Sequence, residues 1–370
     1  MAVSIDDRIT NLNNRRKGLD RLGDLSFADR ETVLAKSLTE EKWQKRQQGN
    51  KHTRYALGAM QPVGSEYTEI TIDTAERVGK QLENRLAQIT EFRLQGSVPL
   101  NVHIRGVSDV DLLVIDTCLF RYDPNGCLAH TYAPATRGRL DVLQELRRDC
   151  EAELKAAYPA VTVDCSGGKA VAMHGGSLPR PVDVVPSVWY NTADYQASSQ
   201  EFDRGVVILD KHVPTDFENQ PFLHIKKIDE ADMVAGGGLK KAIRLVKNVK
   251  SDSDRAVVKK ISSFDLASLM YHSNLNALSL GRFYELAVLA EVRRFLDWVY
   301  HHEVEARCLY TPDGSRVVLD TAEKFEAIRN MSYEIDELAK QIAKEQNLLV
   351  NDSEWNAMTK VLNETALPNP

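Results

Sequence analysis

GSVPLNVHIRGVSDVDLLVID, residues 96–116, is the stretch that decides the predicted fold. It contains two acids, Asp109 and Asp111, two positions apart on a predicted strand. Side chains at i and i+2 of a strand point to the same face, so both carboxylates can bind one metal cluster. The apolar run that follows, residues 112–115, is typical of a strand buried in a sheet on both faces. The stretch therefore predicts two acids fixed at the edge of a buried element.

A third acid lies on a second predicted strand. In RPVDVVP, residues 180–186, two valines share one face of an extended segment and Asp183 faces the other way, where it could orient or deprotonate an attacking hydroxyl. Mg²⁺ is usually held by a few carboxylates together with substrate phosphates. Two such ions can stabilise the attacking and the leaving oxygen of an in-line displacement at phosphorus. Since the N–H groups of Gly96-Ser97 can hold a triphosphate, the pattern predicts phosphoryl or nucleotidyl transfer.

Composition and charge argue against several other classes of protein. The 370 residues are 43% hydrophobic and 27% charged, which is typical of a folded chain large enough for two lobes. The net charge of −6 argues against stable nucleic-acid binding, because such binding requires a basic surface that neutralises phosphates. No window approaches ~20 consecutive apolar residues, and the first residues contain no apolar signal core. We therefore expect a cytoplasmic protein without a membrane partner.

The apolar periodicity divides the chain into a sheet-containing lobe and a helical lobe. A helix is predicted from residue 71 to about residue 90, with Asp73 and Glu76 forming a capping box at its start. Further predicted elements are helix 136–157, strands 161–163 and 170–173, and helices 281–302, 321–346 and 352–363. The predicted fold class is α+β. Its predicted divisions are an N-terminal helical segment packed on the core, a catalytic lobe and a helical lobe, at residues 1–50, 51–228 and 229–370.

Other patterns in the chain carry less weight. Residues 236–241, GGGLKK, lack the spacing of a phosphate loop, so a flexible entry to a helix is expected there. Residues 301–303, HHE, stand at a predicted helix end, where adjacent side chains diverge. The five cysteines are widely spaced and form no C-x-x-C pair, which argues against a zinc site. Tyr190, Tyr195 and Phe202 are equally consistent with base stacking and with core packing, so they are left unassigned.

The combined pattern resembles a known superfamily. A Gly-Ser turn, S-D-x-D about a dozen residues later, an apolar strand and a third Asp on a later strand resemble the polymerase-β-like nucleotidyltransferases. Within that superfamily, PLNVHIRGVSDVDLLV, RPVDVVPSVWYN, GGLKKAIRLVKNVK and SSFDLASLMYH resemble the bacterial CD-NTases, the cyclic-GMP-AMP-synthase-like enzymes of CBASS anti-phage systems. The resemblance spans roughly residues 52–300, and Val102 departs from it where many relatives have threonine. It implies a nucleotidyltransferase core with a mixed sheet and a helical lobe that completes the nucleotide cleft.

The resemblance also implies roles for individual residues of the sheet-containing lobe. Gly96 and Ser97 match the turn that binds the nucleotide. Asp109, Asp111 and Asp183 match the three catalytic acids that hold the metal ions.

Two further matches lie in the helical lobe. Lys247 and Ser263 match the family's lysine and serine that contact the nucleotide triphosphate. Lys240, Lys241 and Lys250 on the same predicted helix compete with Lys247 for this role.

The implied activity is the joining of nucleoside triphosphates, ATP or GTP among them, into a cyclic di- or trinucleotide with release of pyrophosphate. Mg²⁺ is the implied cofactor, with Mn²⁺ as an alternative, and the product would activate a separate effector protein. Two other functions are consistent with the same acids. One is a linear nucleotidyltransferase that tails RNA or modifies a small molecule or protein. The other is a catalytically silent sensor on the same fold, against which the presence of all three acids argues.

Overall fold

The computed structural model describes residues 3–19, 31, 40–46, 49–351 and 354–368. Parts of the predicted N-terminal segment 1–50 and of the predicted helix 352–363 lie outside these residues. The described residues form fourteen α-helices. They are α1 (Ile5–Lys17), α2 (Lys42–Lys45), α3 (Lys51–Met60), α4 (Ser65–Glu83), α5 (Arg139–Ala157), α6 (Ala193–Ser198), α7 (Pro221–Val234), α8 (Gly238–Asp252), α9 (Ser263–Met270), α10 (Leu275–Ser279), α11 (Ala287–His301), α12 (Glu303–Ala306), α13 (Ala322–Gln346) and α14 (Trp355–Glu364).

The strands of the described residues form one seven-stranded mixed sheet. They are β1 (Thr90–Gln95), β2 (Val110–Tyr122), β3 (Thr162–Asp164), β4 (Val171–His174), β5 (Val182–Asn191), β6 (Gly205–Asp210) and β7 (Thr215–Asn219). Strand β2 pairs with β1 in the antiparallel sense and with β5 in the parallel sense. On its other edge β5 pairs first with β4 and then with β6, to which β7 is added. The central pair β2 and β5 therefore carries the predicted acids into one part of the sheet.

The capping box predicted at the start of helix α4 is wrong. The helix begins at Ser65, so Asp73 and Glu76 lie inside it rather than at its start. Residues 65–74 are rich in threonine and isoleucine, which normally disfavour helix. Here the Thr71 and Thr74 hydroxyls donate to the carbonyls four residues earlier, which satisfies both side chains inside the helix. The helix also ends before residue 90, which is the first residue of β1.

Most other predicted elements are confirmed within a few residues. Strands 161–163 and 170–173 correspond to β3 and β4, and helices 136–157 and 321–346 correspond to α5 and α13. The predicted helix 281–302 begins later, at Ala287, because Leu280–Arg282 forms a separate 3₁₀ turn. Gly237, in the left-handed conformation, caps the start of α8, as expected for a glycine-rich helix entry.

Separate apolar cores stabilise the two lobes. One core lies between the sheet and helices α4 and α5. The other is built from the helices that follow β7, and it also includes side chains of α1 and α3. Helix α7 begins with Pro221 in its first turn, a position that proline favours. Because this helix runs from Pro221 to Val234, the predicted boundary between residues 228 and 229 falls inside it. The division into 1–50, 51–228 and 229–370 stays a prediction, although α3 packs with the helical lobe.

Candidate active site

Two of the predicted acids are brought to the same level of the sheet by the pairing of β2 with β5. Asp111 and Asp183 are Cα partners in the parallel register of these strands. The neighbours of Asp111, Val110 and Leu112, are buried in the core beneath the sheet. This alternation fixes β2 in register, because a slip by one residue would turn Asp111 into the core. Asp109 directly precedes β2, so of the two acids predicted on this strand Asp111 lies within it and Asp109 at its entry.

The acids repel one another across this short span. Burial, together with the charges of Asp183 and Asp109, raises the pKa of Asp111 to about 7, and Lys247 opposes the rise. Burial and the charge of Asp109 raise the pKa of Asp183 to about 6. Carboxylates with raised pKa values bind a proton or a cation more readily than isolated ones. The arrangement therefore concentrates negative charge where a cation would relieve the repulsion.

The Gly96-Ser97 turn lies directly against Asp111. Gly96 has φ +77°, and a Cβ atom added to it would clash with Oδ2 of Asp111. Only glycine combines this backbone conformation with such a close approach. The turn can therefore bring its backbone N–H groups next to the carboxylate.

A cleft of about 570 Å³ lies between the two lobes, and predicted site residues from the sheet-containing lobe and from the helical lobe line it. We call Gly96, Ser97 and Asp111 the sheet wall, since they stand on or beside β1 and β2. We call Lys247 and Ser263 the helical wall, since they stand on α8 and α9. The structure thus brings five of the seven predicted site residues to one cleft, while Asp109 and Asp183 are linked to it through their charges on Asp111. Their individual roles stay predictions.

Lys247 is distinguished from the competing lysines by its position. It is 3% exposed, and its Nζ donates to the Val102 carbonyl at 2.7 Å. Burial and the charge of Lys250 lower the pKa of Lys247 to about 7, whereas Asp111 raises it. Lys240 instead pairs with Asp229 at 2.6 Å, and Lys241 donates to a backbone carbonyl. Of the four lysines on this helix, Lys247 is the one that lines the cleft.

Ser263 is free for the cleft because its neighbour caps the helix. The Ser262 hydroxyl accepts a hydrogen bond from the Asp265 N–H at 3.0 Å and donates to the Asp265 carboxylate at 2.8 Å. This is the usual contact of an N-cap serine. Ser263, the first residue of α9, lines the cleft one position further on.

The donor set fits a divalent cation that the substrate helps to hold. No group of three or more His, Cys, Asp or Glu side chains in the described part of the chain is positioned to hold a metal ion alone. Mg²⁺ commonly takes one or two carboxylates and completes its shell with water and substrate phosphates. Asp111 and Asp183, paired in register and raised in pKa, provide such a partial set of oxygen ligands.

Comparisons with known proteins support the same picture. No family model matches the chain. Cyclic dinucleotide synthase CdnE of Yersinia aleksiciae is 41% identical over 334 residues, which cover 90% of this chain and 86% of that protein. The chain belongs to the CD-NTases. A c-di-GMP synthase of Lachnospiraceae bacterium (strain RUG226) is 32% identical over 242 residues, covering 59% of this chain and 68% of that protein.

A solved structure gives the same fold. The STING-associated CdnE c-di-GMP synthase of Capnocytophaga granulosa matches with a TM-score of 0.68 and 25% sequence identity, covering 90% of this chain and 97% of the other. The predicted fold class, a polymerase-β-like nucleotidyltransferase core with a mixed sheet and a helical C-terminal lobe, is therefore confirmed. This CD-NTase is a nucleotidyltransferase of the cyclic dinucleotide synthase family. Its described helices include none long and apolar enough to cross a membrane.

The cleft of this CD-NTase also contains residues that the sequence did not single out. His224 and Phe264 line it with their rings stacked, 4.4 Å between centroids. Ser315 and Arg316 reach it from a loop in which residues 310 and 317 form an isolated β-bridge. No local signal in the sequence places this loop over the cleft. Packing between distant helices decides that position.

The aromatic residues left unassigned do not belong to the lining of this cleft. Tyr190 packs in a small apolar core beside α5. The guanidinium of Arg204 lies over the ring of Tyr195. The ammonium nitrogen of Lys226 lies 3.5 Å from the ring centroid of Phe202. For Tyr190 the structure therefore favours core packing over base stacking.

Proposed function

We propose that this CD-NTase joins two nucleoside triphosphates, ATP or GTP among them, into a cyclic dinucleotide and releases pyrophosphate. The observation that carries the proposal is the meeting of Asp111, in register with Asp183, with Lys247 and Ser263 across one cleft. Carboxylates on one side and a buried cation with a hydroxyl on the other suit a metal-bound triphosphate. The similar protein of Yersinia aleksiciae is named a cyclic dinucleotide synthase, and those of Lachnospiraceae bacterium (strain RUG226) and Capnocytophaga granulosa are named c-di-GMP synthases, which supports a dinucleotide over a trinucleotide.

In the proposed site Asp109, Asp111 and Asp183 would hold Mg²⁺, or Mn²⁺ in its place, together with the phosphates of the substrate. The ion would supply positive charge to the reacting and leaving oxygens. The residues of the chain do the positioning. The Gly96-Ser97 turn lies against Asp111, and its N–H groups would bind phosphate oxygens next to the ion.

The helical wall would hold the same triphosphate from the opposite side. Lys247 Nζ donates a hydrogen bond to the Val102 carbonyl. An ammonium group has three N–H donors, so it can also donate to a phosphate oxygen. The exposed Ser263 hydroxyl, at the start of α9, would provide another donor. Burial keeps the electrostatic attraction between Lys247 and a phosphate strong, because little water screens it.

Asp183 would act on the attacking ribose hydroxyl. A carboxylate oxygen accepts a hydrogen bond from such a hydroxyl and can take up its proton as the new bond to phosphorus forms. In each transfer the hydroxyl oxygen bonds to the α-phosphorus, the bond to the bridging oxygen of the β-phosphate breaks, and pyrophosphate leaves. Asp183 orients the hydroxyl and accepts its proton. A second transfer in the same cleft closes the ring.

We further propose that the cyclic product acts in the cytoplasm on a separate effector protein in anti-phage defence. Nucleoside triphosphates are available there, and the similar CdnE of Capnocytophaga granulosa is described as STING-associated. Adding the purified product to a candidate effector and measuring the effector's activity would test this part of the proposal.

The catalytic part is tested by product analysis. The purified chain is incubated with the four nucleoside triphosphates and MgCl₂, treated with phosphatase and examined by mass spectrometry. A phosphatase-resistant product with the mass of a cyclic dinucleotide is expected, and a tailed polymer or no product would contradict the proposal. Asp111→Asn should abolish the product. Asp141→Asn, which changes an exposed acid in the first turn of α5, is the matched control and should leave it unchanged.

A further inference from the structure

The segment that joins β1 to β2 is folded into a compact turn behind Gly96-Ser97. The Val102 N–H donates to the Ser97 carbonyl at 3.0 Å, and the Asn101 N–H donates to the Val98 carbonyl at 2.9 Å. Asn101 has φ +55°, a conformation that costs energy for residues other than glycine. Such a conformation persists only where surrounding contacts hold it.

Those contacts come from the other lobe, through helix α8. Arg244 donates from Nη1 to the Asn101 carbonyl at 2.7 Å and from Nε to the Met60 carbonyl at 2.8 Å. Lys247, one turn further along α8, donates to the next carbonyl of the segment, that of Val102. The backbone carbonyls of Asn101 and Val102 are therefore both held by cationic side chains of the helical lobe.

Arg244 is a buried cation whose hydrogen bonds in the described structure go to carbonyl groups. It is 5% exposed, and burial lowers its pKa to about 10. Removing a guanidinium from water is costly, so a buried arginine needs well-directed acceptors. Its fixed fork of donors reaches two carbonyls at once, which a lysine ammonium on a single stem does not reproduce. The side chains of Leu100 and Val102 also enter the helical core, so the turn is anchored there by its apolar residues as well.

We infer that Arg244 is a positioning residue for the phosphate-binding turn. It acts through the Asn101 carbonyl, holds the strained backbone, and thereby keeps Ser97 and Gly96 in place against Asp111. This inference rests on the proposed function, since it assigns the turn to a triphosphate. It adds a residue on the helical lobe that sets the geometry of the sheet wall without touching the substrate.

The test compares two substitutions on the same helix. Arg244→Lys keeps the charge but cannot bond both carbonyls. Asn248→Ala is the matched control, because the Asn248 amide donates to the backbone carbonyls of Ala59 and Arg244 and accepts from Arg15, but it makes no described bond to residues 98–102 or to the Arg244 side chain. Arg244→Lys should raise the KM for the nucleoside triphosphates about tenfold, the effect of one charge-assisted hydrogen bond, with kcat changed by less than about twofold. Asn248→Ala should lower Tm without raising KM.

Amide hydrogen exchange measures how firmly the turn is held, and the measurement does not depend on catalytic activity. The amides of Asn101 and Val102 should exchange faster in Arg244→Lys and at the wild-type rate in Asn248→Ala. Asn101→Val, which places a β-branched residue at positive φ, should reproduce the higher KM and the faster exchange.

The outcomes separate the two proposals. An unchanged KM in Arg244→Lys, equal KM increases in Arg244→Lys and Asn248→Ala, or unchanged exchange at Asn101 and Val102 would overturn the positioning role. Absence of pyrophosphate release from the wild-type chain would instead refute the proposed function, and the exchange rates would still decide whether Arg244 holds the turn.

Discussion

The sheet wall and the helical wall of the cleft are assembled in different ways. Asp111 and Asp183 are fixed by strand register, which places them level and leaves their charges in mutual repulsion. Lys247 and Ser263 stand on consecutive helices, and Arg316 reaches the same cleft from a distant loop. Strand alternation and register thus place Asp111 of the sheet wall beside the charge of Asp183 on the next strand, whereas packing between helices and a distant loop places the donors of the helical wall. A triphosphate with a cation would satisfy both.

The largest expected effect comes from the sheet wall. Asp111→Asn should lower kcat/KM by about a thousandfold, because a lost metal ligand removes several kcal/mol of transition-state stabilisation. The same change should raise Tm in the absence of divalent cation, since it relieves repulsion with Asp183 and Asp109. Pyrophosphate release and thermal unfolding measure the two effects. A fall in Tm together with a fall in activity would indicate a structural role instead.

The next effect should come from the helical wall. Lys247→Met keeps the apolar stem of the buried side chain and removes its charge. It should lower kcat/KM by about 10- to 100-fold, the range for a lost charge-assisted hydrogen bond. Lys240→Met is the matched control on the same helix, because Lys240 pairs with Asp229 outside the cleft lining. Equal losses in both variants would mean that the charge of α8 as a whole, and not the position of Lys247, matters.

Two adjacent serines should separate stability from binding within the helical wall. Ser262→Ala removes the cap of α9 and should lower the free energy of unfolding by about 1 kcal/mol. Ser263→Ala should leave that free energy nearly unchanged and raise the KM for nucleoside triphosphate a few fold. Chemical denaturation and initial-rate kinetics distinguish the two. The reverse pattern would place the nucleotide contact at Ser262.

The smallest expected effect concerns pH and the repulsion in the sheet wall. Without divalent cation, Asp111 has a pKa of about 7 in the folded protein, against 3.8 for an ordinary aspartate. The folded state binds more protons between these values, so the contribution of this group to stability falls as pH rises from about 4 to 7. Since a cation replaces the proton, MgCl₂ should raise Tm more at pH 8 than at pH 5. Asp111→Asn should reduce this difference, and an equal increase at both pH values would contradict it.

The comparison also explains what the sequence could predict. The placement of Asp111 and Asp183 on two strands was predictable because side chains alternate along a strand, and the apolar residues beside each acid mark the buried face. Lys247 and Ser263 were assigned by resemblance, since four lysines on one helix look alike until packing buries one of them. His224 and Arg316 were missed because no local pattern brings them to the cleft. The start of α4 was misplaced because threonine hydroxyls found partners within the helix.

A structure of the chain with a non-hydrolysable nucleoside triphosphate and Mg²⁺ tests the central claim most directly. We predict a triphosphate bound between the walls, with its oxygens on the Gly96-Ser97 turn, on Lys247 Nζ and on the Ser263 hydroxyl, and a cation between it and Asp111. A triphosphate bound outside this cleft, or bound there without contact to Asp111 and Lys247, would contradict it.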